Sequence, residues 1–395
     1  MSEEKKECGE EDSEQNSKGG HPVCPPSPCA CSSACLLPVG QPAHHRLHPS
    51  SSHARGCSAT ILPPATTRAE PPGFVPFSSV IESEVRGAPA IAAVGCLSLA
   101  VELVHKDFST TEEVAEFVHE KLQCLVSARP TAVNMAREAQ ELEVVFREMI
   151  RKEGSTATGV RDWLVTKIEG IPERDIQVNR NIGQHGARHI IARARDQKVV
   201  ILTHCNTGAL ATCGYGTALG VVRALHEAGT LERVYCTETR PYNQGARLTA
   251  YELVAEGIPG TLLADSAVAF AMAQKKITAV VVGADRIVAN GDVANKLGTF
   301  SLALAAHYHQ IPFYVAAPSS SWDPKLPCGS SVVIEERTAA ELTHINGQRI
   351  AAQGIDVWNP AFDITPVNLI TGGIITELGV FPAANLTAAM LVSKS

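Results

Sequence analysis

Short apolar runs alternate with segments of helical periodicity throughout the second half of this 395-residue chain. From Val199 onward, amphipathic segments such as GTALGVVRALHEAG separate five runs: VVILTH, RVYCTE, GTLLAD, AVVVGAD and PFYVAAP. Neighbouring parallel strands need a crossover connection, and a helix between two strands supplies one. The alternation therefore predicts a Rossmann-like α/β domain with a doubly wound parallel sheet, which we place at residues 179–390.

A helical pattern precedes this alternation. Apolar residues recur at helical spacing in IAAVGCLSLAVELV, EEVAEFVHEKLQCLV and VNMAREAQELEVVFREMI, and such spacing gives each helix one apolar face. We predict a smaller, mainly helical domain at residues 75–178. A further helix, from about Asn179 to Arg195, is predicted to lead into the first strand.

The beginning of the chain has a different composition. It is dense in Pro, Ser, Gly, Cys and His, as in HPVCPPSPCACSSAC, and shows no helix or strand period. Such a segment buries too little apolar surface to offset the entropy lost on ordering it, so we predict a disordered leader at residues 1–74. The alternative is a zinc site, although the spacing lacks paired C-x-x-C knuckles; its ligands would be His21, Cys24, Cys29, Cys31 and Cys35.

Charge and composition narrow the class of protein. A formal net charge of −7 provides no basic surface for nucleic acid. The longest mostly apolar stretch, residues 88–103, contains Pro89 and Gly95 and is shorter than the ~20 residues that a bilayer span needs. The acidic N-terminus lacks the apolar core of a secretory signal. We therefore expect a protein of the cytoplasm or nucleus, with no membrane or nucleic-acid partner and with free thiols in its folded part.

Polar residues follow the predicted strands at the point where each strand ends. In an open parallel sheet, ligands bind outside the carboxyl ends of the strands, and the helix N-termini there favour anions. These positions therefore predict an anionic small-molecule site at one edge of the sheet; they are His204-Cys205-Asn206, Glu238-Thr239-Arg240, Asp265, Asp285-Arg286 and Pro318-Ser319.

Two of these residues suggest chemistry. Cys205 lies between a strand and a following helix, and a helix N-terminus lowers a thiol pKa; the alternative is an inert buried cysteine. Asp285 ends an apolar strand, where burial could keep it protonated as an acid. Raising its pKa from about 3.9 to about 7 would cost roughly 4 kcal/mol, so the alternative is an ionised carboxylate paired with Arg286 or Arg240.

Several motifs together resemble the methylthioribose-1-phosphate isomerase family. The likeness covers residues 80 to 385, roughly. The regulatory subunits of a translation-initiation exchange factor are related to this family and share its fold, but they do not share this set of motifs. The motifs are VRGAPAI, ARPTAVN, HCNTGALAT, ETRPYNQGARLTAYEL, GADRIVANGDVANK, AAPSSSWD and NPAFDITP.

The resemblance implies a homodimer that converts 5-methylthioribose 1-phosphate to 5-methylthioribulose 1-phosphate without metal or organic cofactor. It implies Asp285 as proton donor and Cys205 as its catalytic partner. The implied substrate and phosphate contacts are Arg86, Gly87, Ala88, Arg129, Gln244, Asn295 and Lys296. Asn295 and Lys296 are also predicted to open a helix that runs through Leu304, with its N-terminus toward the phosphate.

The leader departs from the family, which has a short region of strands and turns in its place; we interpret this as an alternative first exon or a faulty gene model.

Two other functions compete with the isomerase. A non-catalytic regulatory subunit would lack the Cys205 and Asp285 pair. A ribose-1,5-bisphosphate isomerase would need a second phosphate clamp in place of an apolar methylthio pocket, and the sequence discriminates weakly between these two substrates.

Overall fold

The computed structural model describes residues 85, 87–128, 133–195 and 197–392. The predicted leader and its zinc alternative lie outside the described residues, as do Arg86 and Arg129. The described chain begins with helices α1 to α5, which span Ala88–Val104, Thr111–Ala128, Val133–Ile150, Ala157–Glu169 and Ile171–Ala194. The first four enclose an apolar core of their own, in which Leu103, Leu122 and Leu164 are fully buried.

Helix α5 begins earlier than the sequence indicated. It starts at Ile171, not near Asn179, and Pro172 lies in its first turn, where the missing N–H of proline costs nothing. The helix ends at Ala194, before Arg195 in the left-handed conformation. The division into domains at residues 178 and 179 stays a prediction.

A seven-stranded sheet follows, which confirms the predicted fold class. Its spatial order is β13-β12-β7-β4-β1-β2-β3, and all neighbours are parallel except the antiparallel edge pair β12 and β13. The strands, in the order β1, β2, β3, β4, β7, β12 and β13, span Val199–Thr203, Leu231–Thr237, Gly260–Leu263, Ala279–Val282, Phe313–Ala316, Gly373–Thr376 and Gly379–Phe381.

Helices cover both faces of this sheet. Alternate strand residues point to opposite faces, so that Val200 and Val280 join one apolar layer while Ile201 and Val281 join the other. Because both layers are closed to water, the carboxyl ends of the strands are left as the place for polar residues. The covering helices α6, α7, α8, α9 and α11 span Ala218–Glu227, Ala250–Ala255, Val268–Gln274, Thr299–Tyr308 and Leu386–Val392.

A second, four-stranded sheet stands beside the carboxyl ends of the main strands, in the order β11-β6-β5-β8. Its strands β5, β6, β8 and β11 span Arg286–Val288, Val293–Lys296, Trp322–Asp323 and Phe362–Thr365. The helix predicted to run through Leu304 is present as α9, but its predicted start at Asn295 and Lys296 is wrong: both residues lie in β6, between β5 and β11. A short excursion contains α10, β9 and β10, at Ala339–Thr343, His344–Ile345 and Gln348–Arg349.

Candidate active site

The order of the main strands reverses between β1 and β4. From β1 the chain first builds outward through β2 and β3, and β4, β7 and β12 then lie on the other side. Such a reversal leaves a crevice outside the carboxyl ends of the two central strands, where open α/β sheets bind ligands. Cys205 follows β1 and Asp285 follows β4, so the two predicted catalytic residues flank this crevice.

The backbone of Cys205 is held in an unusual conformation. Its φ is 61°, in the left-handed region that side chains other than glycine seldom adopt. Its N–H donates to Thr239 Oγ1 at 2.9 Å, and its carbonyl accepts from the Thr249 hydroxyl. Both threonines are completely buried. The surrounding structure therefore fixes the conformation and with it the direction of the thiol.

The predicted helix N-terminus at Cys205 is wrong. The next α-helix, α6, begins only at Ala218, and the loop between them contains a single 3₁₀ turn at Ala209–Ala211. The first N–H groups of that turn are already satisfied, because Ala209 and Leu210 donate to the Glu252 carboxylate at 2.8 and 3.1 Å. No unpaired helix terminus is thus offered to the thiol by this loop.

Glu252 is the anchor of the loop that follows Cys205. Its carboxylate is buried and also pairs with Arg223 at 2.7 Å. A Cβ atom on Gly208 would lie 2.2 Å from Glu252 Oε2, so the loop passes the carboxylate where only glycine fits. The loop conformation therefore depends on a buried ion pair that does not itself reach the crevice.

The opposite wall begins at Asp285 and continues into the β5 and β6 hairpin. The Asp285 N–H donates to Ala294 O at 3.0 Å, which joins the end of β4 to β6. On β6, the Asn295 amide donates to Thr299 Oγ1 at 3.0 Å, and Lys296 Nζ lies 4.8 Å from the centre of the Phe362 ring. The hairpin thus carries the amide and the ammonium group to the same crevice as the carboxyl group.

Gly87 and Gln244 close the crevice from the other sides. Gly87 has φ 94°, and a Cβ there would lie 2.2 Å from Ala211 O, so the approach of these two segments requires glycine. Ala88 is buried as the first residue of α1. Gln244 precedes a π-helical turn at Gly245–Thr249, a feature frequent at functional sites.

These segments enclose a cavity of about 80 Å³. Six of the predicted site residues line it, namely Gly87, Cys205, Gln244, Asp285, Asn295 and Lys296. Ala88 adjoins it through Gly87, whereas Arg86 and Arg129 lie outside the described residues. Asn206, predicted among the strand-end residues, also lines it, and the lining residues that the sequence did not indicate are Thr207, Ala211, Leu248 and Phe362.

Three buried polar atoms in the cavity wall have no hydrogen-bond partner within the described part of the chain. They are Asn206 Nδ2, Thr207 Oγ1 and Gln244 Oε1. Nearly all buried polar groups of folded proteins are paired, so such a cluster needs an explanation. Unsatisfied polar groups in residues that line a cavity favour a polar ligand there, such as a sugar, over an apolar one.

Several polar strand-end residues do not converge on the cavity. Asp265 accepts from the N–H groups of Thr239 and Arg240 at 2.8 and 2.7 Å, which gives it a structural role. Arg286 pairs with Asp323 at 3.0 Å. Ser319 donates its N–H to Glu377 and borders a different cavity. Of the polar strand-end residues, only residues that follow the central strands β1 and β4, where the strand order reverses, therefore meet at the cavity.

Two further properties of the described residues concern metals and membranes. These residues contain no group of three or more His, Cys, Asp or Glu side chains arranged to hold a metal ion. Among them there is also no helix with the length and apolar character to cross a membrane.

Comparison with known proteins places most of this chain within one family. The model described as the Initiation factor 2 subunit family matches residues 84–383. A protein of Nematostella vectensis named methylthioribose-1-phosphate isomerase is 56% identical over 318 residues, which cover 80% of this chain and 89% of that protein. The matched length includes both the helices and the sheet that enclose the cavity.

Two solved structures share the fold at appreciable identity. The 5-methylthioribose 1-phosphate isomerase from Pyrococcus horikoshii OT3 is 38% identical, with a TM-score of 0.72 and coverage of 81% of this chain and 87% of that chain. The translation initiation factor eIF-2B subunit delta from A. fulgidus is also 38% identical, with a TM-score of 0.68 and coverage of 81% and 90%.

Proposed function

The chain belongs to the Initiation factor 2 subunit family, and we infer that within it the chain is an aldose–ketose isomerase. It converts 5-methylthioribose 1-phosphate to 5-methylthioribulose 1-phosphate, a step of methionine salvage. The identity of 56% to an isomerase over most of both chains supports this activity. The observation that carries the chemical assignment is that Cys205, Asp285 and Lys296 line one cavity at the reversal of the strand order.

The substrate determines what the residues must do. Its C1 oxygen is esterified, so the ring cannot open to a free aldehyde as it does in ordinary aldoses. Opening instead requires a proton on the ring oxygen while the bond between C1 and that oxygen breaks and the hydrogen on C2 moves to C1. The C2 hydroxyl releases its proton as it becomes the ketone, which balances the proton given to the ring oxygen, so substrate and product have the same composition.

We assign the proton donation to Asp285 and the role of its partner to Cys205. A neutral carboxylic acid at the end of β4 can protonate the ring oxygen. Cys205 can remove the C2 proton or stabilise the intermediate. Its assignment therefore holds whether the hydrogen moves from C2 to C1 as a proton or as a hydride. Both side chains are half-buried, and partial exclusion of water strengthens their interactions with a bound sugar.

We assign substrate binding to the remaining lining residues. Lys296 supplies a cation for the phosphate, and Asn295 and Gln244 supply amide groups. Arg86 and Arg129 are assigned to the phosphate by the motifs that carry them, and Gly87 and Ala88 to close backbone approach. Leu248 and Phe362 give the cavity an apolar part that suits a methylthio group. The same apolar part disfavours a second, charged phosphate.

We also propose a homodimer located in the cytoplasm or nucleus. The family resemblance supports the dimer. Sedimentation equilibrium of the full chain tests the first point, with a mass of twice 41.9 kDa as the expected result. A monomer across the micromolar range would overturn it.

The decisive experiment is turnover of purified full-length protein with 5-methylthioribose 1-phosphate, followed by detection of the ketose. Ribose 1,5-bisphosphate serves as the comparison substrate and should react far more slowly. Asp285→Asn and Cys205→Ser should each lower kcat by about 10²- to 10⁴-fold. The matched controls are the exposed positions Asp162→Asn and Cys124→Ser, which should keep wild-type rates. Full turnover by either site variant contradicts the assignment.

A further inference from the structure

His204 precedes the proposed catalytic cysteine but does not line the cavity. Its side chain is only 1% exposed, and both ring nitrogens have partners. Nδ1 lies 2.6 Å from Thr237 Oγ1, and Nε2 lies 2.8 Å from Leu297 O. The buried imidazole therefore links the end of β2, through Thr237, to the residue that follows Lys296.

The partners determine the protonation state of the ring. A carbonyl oxygen only accepts, so Nε2 carries a proton toward Leu297. Burial lowers the pKa of His204, and the charge of Lys296 acts in the same direction, against the opposing effects of the Leu297 bond and of Asp265. The ring is therefore neutral, and its unprotonated Nδ1 accepts from the Thr237 hydroxyl.

This orientation connects the ring to Cys205. Because the hydroxyl proton of Thr237 is given to His204, the 3.1 Å contact between Thr237 Oγ1 and Thr239 Oγ1 takes its proton from Thr239. Thr239 shares that proton with the carbonyl of Thr237 at 3.3 Å, and its oxygen accepts the Cys205 N–H at 2.9 Å. A directed series of hydrogen bonds thus runs from the Cys205 backbone to the imidazole.

The other nitrogen connects the ring to the opposite wall. Leu297 directly follows Lys296, and its N–H donates to Ala361 O at 3.1 Å. Gly298 has φ 105°, and a Cβ there would lie 3.0 Å from the His204 ring. The turn that ends β6 is therefore fitted closely around the imidazole, and the position of Lys296 depends on it.

We propose that His204 is a positioning residue whose neutral ring, protonated on Nε2, holds the Cys205 wall and the Lys296 wall in register. It acts through Thr237 and Leu297 and does not touch the substrate. The inference rests on the proposed function, because the roles of Cys205 and Lys296 are assigned there. It predicts that the two bonds of the ring influence different kinetic constants.

Two substitutions separate these bonds. In His204→Asn the side-chain oxygen lies near the place of Nδ1 and keeps the Thr237 bond, while the Leu297 bond is lost. KM should then rise about tenfold, with kcat nearly unchanged. In His204→Gln the amide reaches toward Leu297 while the Thr237 bond is lost. Here kcat should fall about tenfold, with KM nearly unchanged.

Thr237 provides a matched pair for the same series of bonds. Thr237→Ser keeps the hydroxyl and should retain wild-type kcat, whereas Thr237→Val keeps the shape and should lower kcat as His204→Gln does. The proposal is overturned if the two His204 variants have equal kinetic effects. It is also overturned if kcat falls more than about 10³-fold in both, because such a loss is expected for direct acid–base chemistry.

Nitrogen-15 NMR of histidine-labelled full-length protein tests the tautomer independently of turnover. The His204 resonance is assigned by its absence from a folded His204 variant, or by its shift in Thr237→Val. It should report a neutral ring protonated on Nε2 at neutral pH. A ring protonated on Nδ1, or charged at neutral pH, overturns the inference. A wild-type protein without turnover but with the expected tautomer defeats the proposed function alone.

Discussion

The two walls of the cavity are built by different means. The Cys205 wall is a loop held by buried side chains from distant parts of the chain, namely Thr239, Thr249 and Glu252. The Lys296 wall is a hairpin held by backbone pairing with β11, supplemented by Asp363 at the turn. The comparison indicates that Cys205 is fixed by a few costly buried contacts, whereas Asn295 and Lys296 are fixed by an extended strand.

The comparison predicts that the largest effect comes from the anchor of the Cys205 wall. Glu252→Gln leaves Arg223 with a single carboxylate and weakens the bonds to Ala209 and Leu210. Breaking a buried ion pair should lower the free energy of unfolding by about 3 kcal/mol. Chemical denaturation measures this loss, and kcat should fall with it because the loop is released.

The matched control is Glu256→Gln, which removes the other carboxylate bonded to Arg223. The side chain of Glu256 is 38% exposed, whereas that of Glu252 is 5% exposed. Its loss should cost about 1 kcal/mol or less, with kcat unchanged. Equal destabilisation by the two variants would show that Glu252 has no special role in the loop.

A smaller effect is expected where α1 meets the same wall. Gly87→Ala places a methyl group against Ala211 O, so one of the two segments must move and the cavity must change shape. We expect kcat/KM to fall about 100-fold, since displacements near 1 Å have such consequences. Gly229→Ala is the control, because Gly229 also has a positive φ but no heavy atom would lie within 4 Å of its Cβ. Similar activity of the two variants would contradict this account.

The smallest effect concerns the Lys296 wall and depends on pH. Burial raises the pKa of Asp363 from its ordinary value of 3.8 to about 6, although bonds from the N–H groups of Gly298 and Phe300 oppose this. The folded chain therefore binds the proton more tightly than the unfolded chain. The contribution of Asp363 to stability is then fully present below pH 3.8 and is lost as the pH rises through about 6.

This pH dependence can be isolated with Asp363→Asn. Between about pH 4 and about pH 6, the wild type should lose on the order of 2 kcal/mol of unfolding free energy relative to the variant. Above about pH 7 the difference should be constant. Urea denaturation across this range measures it, and parallel curves for the two proteins would contradict the sign of the shift.

The sequence predicted what strand periodicity and a position after a strand determine. The parallel sheet follows from local alternation, and the placing of Cys205 and Asp285 follows from their positions directly after β1 and β4. The hairpin was missed, although Asn290-Gly291 between two apolar runs is a strong turn signal, and Gly291 has φ 91°. The apolar run after Lys296 suggested a longer helix, because pairing with β11 is not visible locally.

Other parts of the site could not be predicted because they depend on tertiary contacts. Phe362 reaches the cavity only because β11 pairs with β6. Leu248 lies one π-helical turn beyond Gln244, a geometry that no local pattern indicates. Glu252 resembles any acidic residue on an amphipathic helix until the loop after Cys205 is folded against it.

The most direct test is a crystal structure of Asp285→Asn in complex with 5-methylthioribose 1-phosphate. The account predicts the sugar in the cavity between β1 and β4, its ring oxygen within hydrogen-bond distance of the side chain at position 285, its phosphate beside Lys296 and C2 facing Cys205. A ligand bound outside this cavity, or one with its phosphate turned away from Lys296 and its ring distant from position 285, would contradict it.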